Sequence, residues 1–230
     1  MNHQLLRPVY IFGTGLLLIT PIGFLPQAAA KGATMAPEQP VLVAQDSSRR
    51  SGPYPTEVQE WLRQVEALSQ QGKYQEAALI QQKILVWMEQ HEGPDHPITA
   101  TILNNLAALF VNLGVYAKAE PLYRRALAIK EKTLGPDSFS TAATINNLAF
   151  LYYNQGDYAK AEPLFIRALA IREKALGPDH PDTAQSINNL AALYDSQGAY
   201  AKAEPLYRRA LAIREKALGP DHPDTAQSIN

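Results

Sequence analysis

The sequence repeats itself every 42 residues through most of its length. The tripeptide Gly-Pro-Asp recurs at this interval, starting at Gly93, Gly135, Gly177 and Gly219. The stretches 177–188 and 219–230 are identical. A period between about 20 and 50 residues is typical of proteins in which one small structural unit stacks on the next. Because each unit of such a chain contacts mainly its neighbours, the sequence predicts an elongated repeat array rather than a fold around one central core.

Each unit contains two helical patterns. In the third unit, apolar residues recur with the spacing i, i+3, i+4 and i+7, at Ile145, Leu148, Ala149 and Tyr152. This spacing places them on one face of a helix that runs from Thr141 to Gln155. A second pattern runs from about Tyr158 to Leu176, and Gly156 between the two suits a left-handed helix end that needs no Cβ. The unit is therefore predicted to be an antiparallel helix pair.

The repeat array is predicted to span residues 56–230. Complete helix pairs are expected at about 56–91, 98–133, 140–175 and 182–217. A fifth pair begins near Asp224 and is cut off after one or two turns. One pair cannot cover its own apolar face, so neighbouring pairs stack into a solenoid and the fold class is all-α. Gln64 and Gln81 replace apolar residues of the later units, as expected of a polar amino-terminal capping repeat.

One run of residues indicates the kind of repeat. Its pattern is Gly-x-Tyr-x-x-Ala-x-x-x-Tyr/Phe-x-x-Ala, present as Gly156, Tyr158, Ala161, Phe165 and Ala168. The run resembles a tetratricopeptide repeat, and the 42-residue period, longer than the usual ~34, is similar to that of the kinesin light chain-like subclass. The resemblance implies a right-handed α-solenoid whose inner surface, lined by the first helix of each pair, binds peptides or partner proteins. For a bacterial-type exported chain it implies a general scaffold and not a motor role.

The amino-terminal residues indicate an export signal followed by a linker. A weakly basic lead precedes an uncharged apolar run at 9–25 and three alanines at 28–30. This order predicts a secretory signal peptide over 1–30 and an extracytoplasmic product, periplasmic or secreted. The alternative is an uncleaved membrane anchor, since the apolar run is at the short limit for a bilayer span. Residues 31–55 are rich in Pro, Ser, Gln and Gly, which indicates a flexible linker.

Composition and spacing exclude several classes of chemistry. The chain has no cysteine, which excludes disulfides, thiolate zinc sites, iron–sulfur clusters and a cysteine nucleophile. Its net charge of −1 gives no reason to expect nucleic acid as a partner. His96, His180 and His222 fall in equivalent loops of successive units, too far apart to share a metal ion. These loops are expected to cap helices, with Asp179 or His180 as the cap before Pro181. No catalytic residue, cofactor or metal site is therefore expected.

The candidate binding surface follows from the nearly uncharged first helices. The candidate ligand contacts on them are Asn104, Asn146, Asn188, Phe150, Tyr153, Asn112 and Asn154. Asparagine amides both donate and accept hydrogen bonds, as an extended peptide backbone requires. An adjacent row, Asn105, Asn147 and Asn189, is expected to bond between neighbouring helices and to serve only the stack, and its alternative is to face the groove. For Asn104, Asn146 and Asn188 the groove is expected, and the alternative is that they serve only the stack. Charged residues of the second helices, including Lys130 and its repeats, are expected on a solvated outer face with local ion pairs.

These observations predict a non-enzymatic scaffold that holds an extended, not strongly acidic peptide in its concave groove. Its partners are expected to be proteins or peptides, and any membrane contact would come from the uncleaved amino-terminal segment. Two alternatives remain open. In the first, the repeats are the sensing arm of a larger enzyme with a carboxyl-terminal effector, such as a caspase-like peptidase. In the second, the uncapped last repeat drives self-association.

Overall fold

Eight α-helices joined by short turns make up the described part of the chain. The computed structural model describes residues 54–219 and Thr225. Its helices are α1 (Thr56–Gln70), α2 (Tyr74–His91), α3 (Pro97–Asn112), α4 (Tyr116–Leu134), α5 (Phe139–Asn154), α6 (Tyr158–Leu176), α7 (Pro181–Ser196) and α8 (Tyr200–Leu218). No strand occurs among these residues, so the all-α fold class is confirmed. The predicted signal peptide, nearly all of the linker and the fifth helix pair lie outside the described residues.

The helices stack in the order of the chain. Each helix packs against the one before it and the one after it, and α3 also touches α5. Small side chains let the two helices of a pair approach, since Ala149 of α5 and Ala161 of α6 are fully buried. Phe165 lies in the same core and is also fully buried, which contributes about 1.5–3 kcal/mol for a side chain of this size. The result is an α-solenoid of four helix pairs.

The first helices of the inner pairs are buried along most of their length. All residues of 141–152 in α5 and of 102–111 in α3 are buried. Helix α5 has α4 of the preceding pair on one side and α6 of its own pair on the other. A charged side chain there would lose its hydration without compensation, which explains why α3 and α5 carry no charge. Partly exposed residues occur toward both ends of these helices, and Phe139 at the start of α5 is 39% exposed.

A glycine ends each inner second helix, and a side-chain cap starts the helix that follows. Gly177 after α6 has a φ of 93°, which L-residues rarely adopt. The backbone N–H of Asp182 then donates to Nδ1 of His180 at 3.1 Å, which caps α7. The sequence left Asp179 and His180 as alternatives for this role. The structure selects His180, because Asp179 pairs instead with Lys216 at 2.7 Å.

Three cations that the sequence placed on the solvated outer face are buried. Lys130, Arg172 and Arg214 are 2%, 2% and 4% exposed. Nζ of Lys130 donates to Oγ1 of Thr144 at 2.9 Å and to the carbonyl oxygen of Ser140 at 3.3 Å, and Arg172 makes the equivalent two bonds to α7. Burial lowers the pKa of Lys130 to about 8. The prediction was wrong because these side chains face the next repeat, which the pattern of one unit does not reveal.

Ion pairs join successive repeats on the outer surface. One series is Arg125–Glu89 at 2.6 Å, with Arg167–Glu131 and Arg209–Glu173 at 2.7 Å. A second series is Lys132–Asp95, Lys174–Asp137 and Lys216–Asp179. Local pairs such as Arg124–Glu120 are present as well. Because all these groups are partly exposed, each pair contributes little to stability by itself.

The first unit has a polar residue in its core. Gln81 is 1% exposed and its Nε2 donates to the carbonyl oxygen of Ile102 at 3.3 Å. The later units have Tyr123 and Phe165 at this position, both buried. The amide is therefore accommodated because a backbone group of the next helix satisfies it. Within residues 54–219, no helix is both long enough and apolar enough to cross a membrane.

Candidate functional site

The asparagine ladder, which consists of Asn104, Asn146 and Asn188, lies inside the stack. These residues occupy the middle of α3, α5 and α7 and are 4%, 0% and 3% exposed. The adjacent asparagine row is buried to a similar degree. The sequence predicted that the ladder faces a groove, but its side chains reach little solvent here. Its role in ligand binding stays a prediction.

Hydrogen bonds join the two asparagine rows across the repeat boundaries. Nδ2 of Asn147 donates to Oδ1 of Asn104 at 3.3 Å, and Nδ2 of Asn189 donates to Oδ1 of Asn146 at 2.9 Å. The sequence assigned the inter-helix role to the second row alone. In the structure the ladder supplies the acceptor of each bond, so both rows hold neighbouring first helices together.

Other amide atoms at these boundaries are buried and have no hydrogen-bond partner among the described residues. They are Oδ1 of Asn105, Asn147 and Asn188, and Nδ2 of Asn146. Leaving such a group unpaired costs about 1–3 kcal/mol. The boundaries between first helices therefore have unused capacity to bond a further polar group.

Partly exposed polar groups gather where the first helices end. We name the last residues of these helices the helix-end row: Asn112, Tyr153, Asn154, Asp195 and Ser196. All five are half-buried. Three of the predicted ligand contacts, Asn112, Tyr153 and Asn154, belong to this row. Oδ1 of Asn112 is buried and has no partner among the described residues, so part of this amide is also unused.

Tyr153 connects the helix-end row to the aromatic core. Its ring stacks on Phe150, with centroids 6.3 Å apart, and lies 5.6 Å from the ring of Tyr158. Its hydroxyl oxygen lies 2.7 Å from Oγ of Ser196 in the next repeat. Burial raises the pKa of Tyr153, so the hydroxyl is neutral at physiological pH. Phe150, a predicted ligand contact, is only 2% exposed, and its ring packs against the ring of Tyr153.

Asp195 is the single charged residue of the helix-end row. No hydrogen bond or ion pair joins its carboxylate to another described residue. Its negative charge adds to burial in raising the pKa values of Tyr153 and Tyr207, which places it close to both. The sequence signal was present, because Asp195 is the one charge in α7 after its first turn. The sequence alone did not show that this charge lies near Tyr153 and Tyr207.

The helix-end row carries several kinds of group that form non-covalent contacts. It combines amide donors and acceptors, a neutral hydroxyl, aromatic faces and one carboxylate. The described residues contain no group of three or more His, Asp or Glu residues that could hold a metal ion. Such a surface suits the main chain and side chains of a polypeptide segment.

Comparisons with known proteins agree with this fold. The tetratricopeptide repeat family model matches residues 59–132 and 140–216. The crystal structure of BtubC (BKLC) from P. vanneervenii is similar, with a TM-score of 0.63 and 32% identity over 72% of this chain and 66% of that chain. The nearly identical kinesin light chain TPR-like repeats of Podosopora anserina are similar with a TM-score of 0.65 and 26% identity, over 77% of this chain and 84% of that chain. No curated protein matched the sequence.

Proposed function

Because the chain belongs to the tetratricopeptide repeat family, whose members generally mediate protein–protein interaction, we propose that it is a scaffold that binds an extended peptide segment of a partner protein. The segment crosses the helix-end row of α3, α5 and α7. The observation that carries this proposal is the burial pattern. The first helices α3, α5 and α7 are buried along their middle, and at this row they offer adjacent amide, hydroxyl and aromatic groups that are partly exposed.

The spacing of the row suits an extended backbone. Asn112 and Asn154 end first helices one repeat apart, on the order of 10 Å for packed helices. An extended peptide advances about 3.3 Å per residue, so the two amides meet main-chain groups about three residues apart. Tyr153 lies beside Asn154 and offers an aromatic face for one apolar side chain of the ligand.

The buried asparagine ladder contributes to the proposed peptide binding in one of two ways. It either positions the helix-end row, or its unpaired atoms form hydrogen bonds with the ligand directly. Asn188 separates the two, because no hydrogen bond of the described residues depends on its Oδ1. Asn188→Ala weakens binding if the ladder touches the ligand, and it leaves binding unchanged if the ladder only positions the row.

The proposal is tested with a display library of random dodecapeptides. Peptides enriched on the chain are synthesised and their affinities are measured by fluorescence anisotropy. We expect the double variant Asn112→Ala and Asn154→Ala to bind about tenfold more weakly, since it removes two amide contacts. The matched control replaces two exposed neighbours outside the row, Gln155→Ala and Gln197→Ala. The proposal fails if no peptide is enriched, or if the test variant binds as tightly as the control.

Export is a further part of the proposal and rests on the amino-terminal pattern alone. Fractionation of cells that express the tagged chain, compared with a chain lacking residues 9–25, tests it. A product found only in the cytoplasm for both chains contradicts it. The sensing-arm and self-association alternatives stay predictions, and the concentration dependence of light scattering tests the second.

A further inference from the structure

The carboxylate of Asp195 is not needed by the fold. The equivalent positions one and two repeats earlier hold Tyr153 and Val111, so neither an acid nor a polar group is required there. Asp195 is half-buried, and no described residue bonds its carboxylate. A partly desolvated charge without a partner is unfavourable, which makes this position unusual on α3, α5 and α7, whose one other charge is Asp182 in the first turn of α7.

The surroundings of Asp195 suit a cation. The hydroxyl oxygen of Tyr153 lies 2.7 Å from Oγ of Ser196, the residue after Asp195, and Tyr207 packs against the same core cluster as Tyr153. The charge of Asp195 accordingly adds to burial in raising the pKa values of both tyrosines. The faces of aromatic rings attract positive charge. The repeats already use this attraction elsewhere, since Nζ of Lys202 lies 4.9 Å from the ring centroid of Tyr194. That ammonium belongs to α8 and does not pair with Asp195.

Asp157, the other acidic residue near the helix-end row, is not available to bind a cation of the ligand. Asp157, in the turn after α5, is paired with Lys160 at 2.6 Å, and this lysine lowers the pKa of Asp157. Helices α3 and α5 contribute no charge. Asp195 is therefore the unpaired negative group of the helix-end row in the described part of the chain.

We propose that Asp195, Tyr153 and Tyr207 form a subsite for a lysine or arginine side chain of the bound peptide segment. The inference rests on the proposed function and adds the charge of the ligand. A basic side chain gains an ion pair with the carboxylate and a favourable contact with the rings. An acidic side chain at the same place faces a like charge, and an apolar one leaves Asp195 covered and unpaired.

The experiment uses the peptides enriched from the same library. We expect a lysine or arginine at one fixed position. Replacing this residue with norleucine, which keeps the apolar stem and removes the charge, weakens binding to the wild type about tenfold. Asp195→Asn abolishes this difference between the two peptides. Glu76→Gln removes the same charge from an exposed position in the first repeat and serves as the matched control.

A charge reversal gives a second, independent readout. Asp195→Lys is expected to reject the basic peptide and to bind a peptide with glutamate at the fixed position. Circular dichroism checks that both variants keep the helical content and melting temperature of the wild type, as the tyrosine and valine at the equivalent positions lead us to expect.

The outcomes separate the inference from the proposed function. Peptides that depend on Asn112 and Asn154 but bind equally with lysine or norleucine overturn the inference and leave the scaffold function standing. The same holds if Asp195→Asn does not alter the preference for the basic peptide. A library without enriched peptides overturns both.

Discussion

The side-chain amide of Asn147 in α5 donates a hydrogen bond to Oδ1 of Asn104 in α3, across a repeat boundary and a distance of 3.3 Å. The next boundary repeats this contact between Asn189 and Asn146 at 2.9 Å. Both bonds join residues 43 positions apart, one more than the repeat period. A buried hydrogen bond between amides is directional, so these contacts set the register of neighbouring first helices as well as their proximity.

Removing one acceptor of this network is expected to destabilise the array. Asn146→Ala leaves Nδ2 of Asn189 without this acceptor and should lower the free energy of unfolding by about 1–2 kcal/mol. The matched control is Asn188→Ala in the next repeat, whose Oδ1 has no partner among the described residues. Asn188→Ala should lower the free energy of unfolding by clearly less than Asn146→Ala does. Urea denaturation followed by circular dichroism measures both, and equal losses for the two variants would contradict the assignment.

Much of the architecture could be predicted because it depends on local signals. The glycine at the end of α6, Gly177, needs its positive φ whatever the rest of the fold does. The apolar spacing of Ala149 and Tyr152 defines one helix face within a single turn or two. Helix α5 accordingly begins and ends within two residues of the predicted bounds.

The predictions that failed concern side chains that are covered or contacted by residues of another repeat. Lys130 lies near the end of a helix, where cations are usually solvated, but the first helix of the next pair covers it. The two asparagine rows are adjacent in sequence, and only the stacking angle of neighbouring pairs decides that Asn147 reaches Asn104. For the same reason the sequence could not show that Asp195 lies near Tyr207 of the next helix.

Replacing the buried lysine with an apolar residue is expected to stabilise the protein at neutral pH. The variant Lys130→Met reproduces Met88, the fully buried residue at the same position of the first repeat. At pH 7 the native state carries a positive charge at Lys130 in a poorly solvated place, and methionine avoids this cost. A pKa lowered from 10.5 to about 8 corresponds to about 3 kcal/mol of lost stability for the charged form.

The advantage of Lys130→Met should shrink as the pH rises. The native lysine releases its proton near pH 8, whereas the unfolded chain keeps it until about pH 10.5. Unfolding therefore takes up a proton between these values, and the stability of the wild type rises with pH there relative to the variant. Urea denaturation of both proteins at pH 7 and pH 9.5 measures the difference. A constant difference would show that Lys130 is not desolvated.

The caps of the first helices should be interchangeable between repeats. The hydroxyl of Ser138 accepts from the backbone N–H of Thr141 at 3.1 Å, and Nδ1 of His180 accepts from that of Asp182 at the same distance. Both side chains satisfy an N–H group that the helix itself leaves unpaired. Ser138→Ala and His180→Ala should each lower the free energy of unfolding by about 1 kcal/mol. The exchanges Ser138→His and His180→Ser keep an acceptor in place and should stay within a few tenths of a kcal/mol of the wild type. Urea denaturation of the four variants at pH 8 measures these free energies of unfolding. If the exchanges lower the free energy of unfolding as much as the alanine variants do, the side chains contribute through packing and not as hydrogen-bond acceptors.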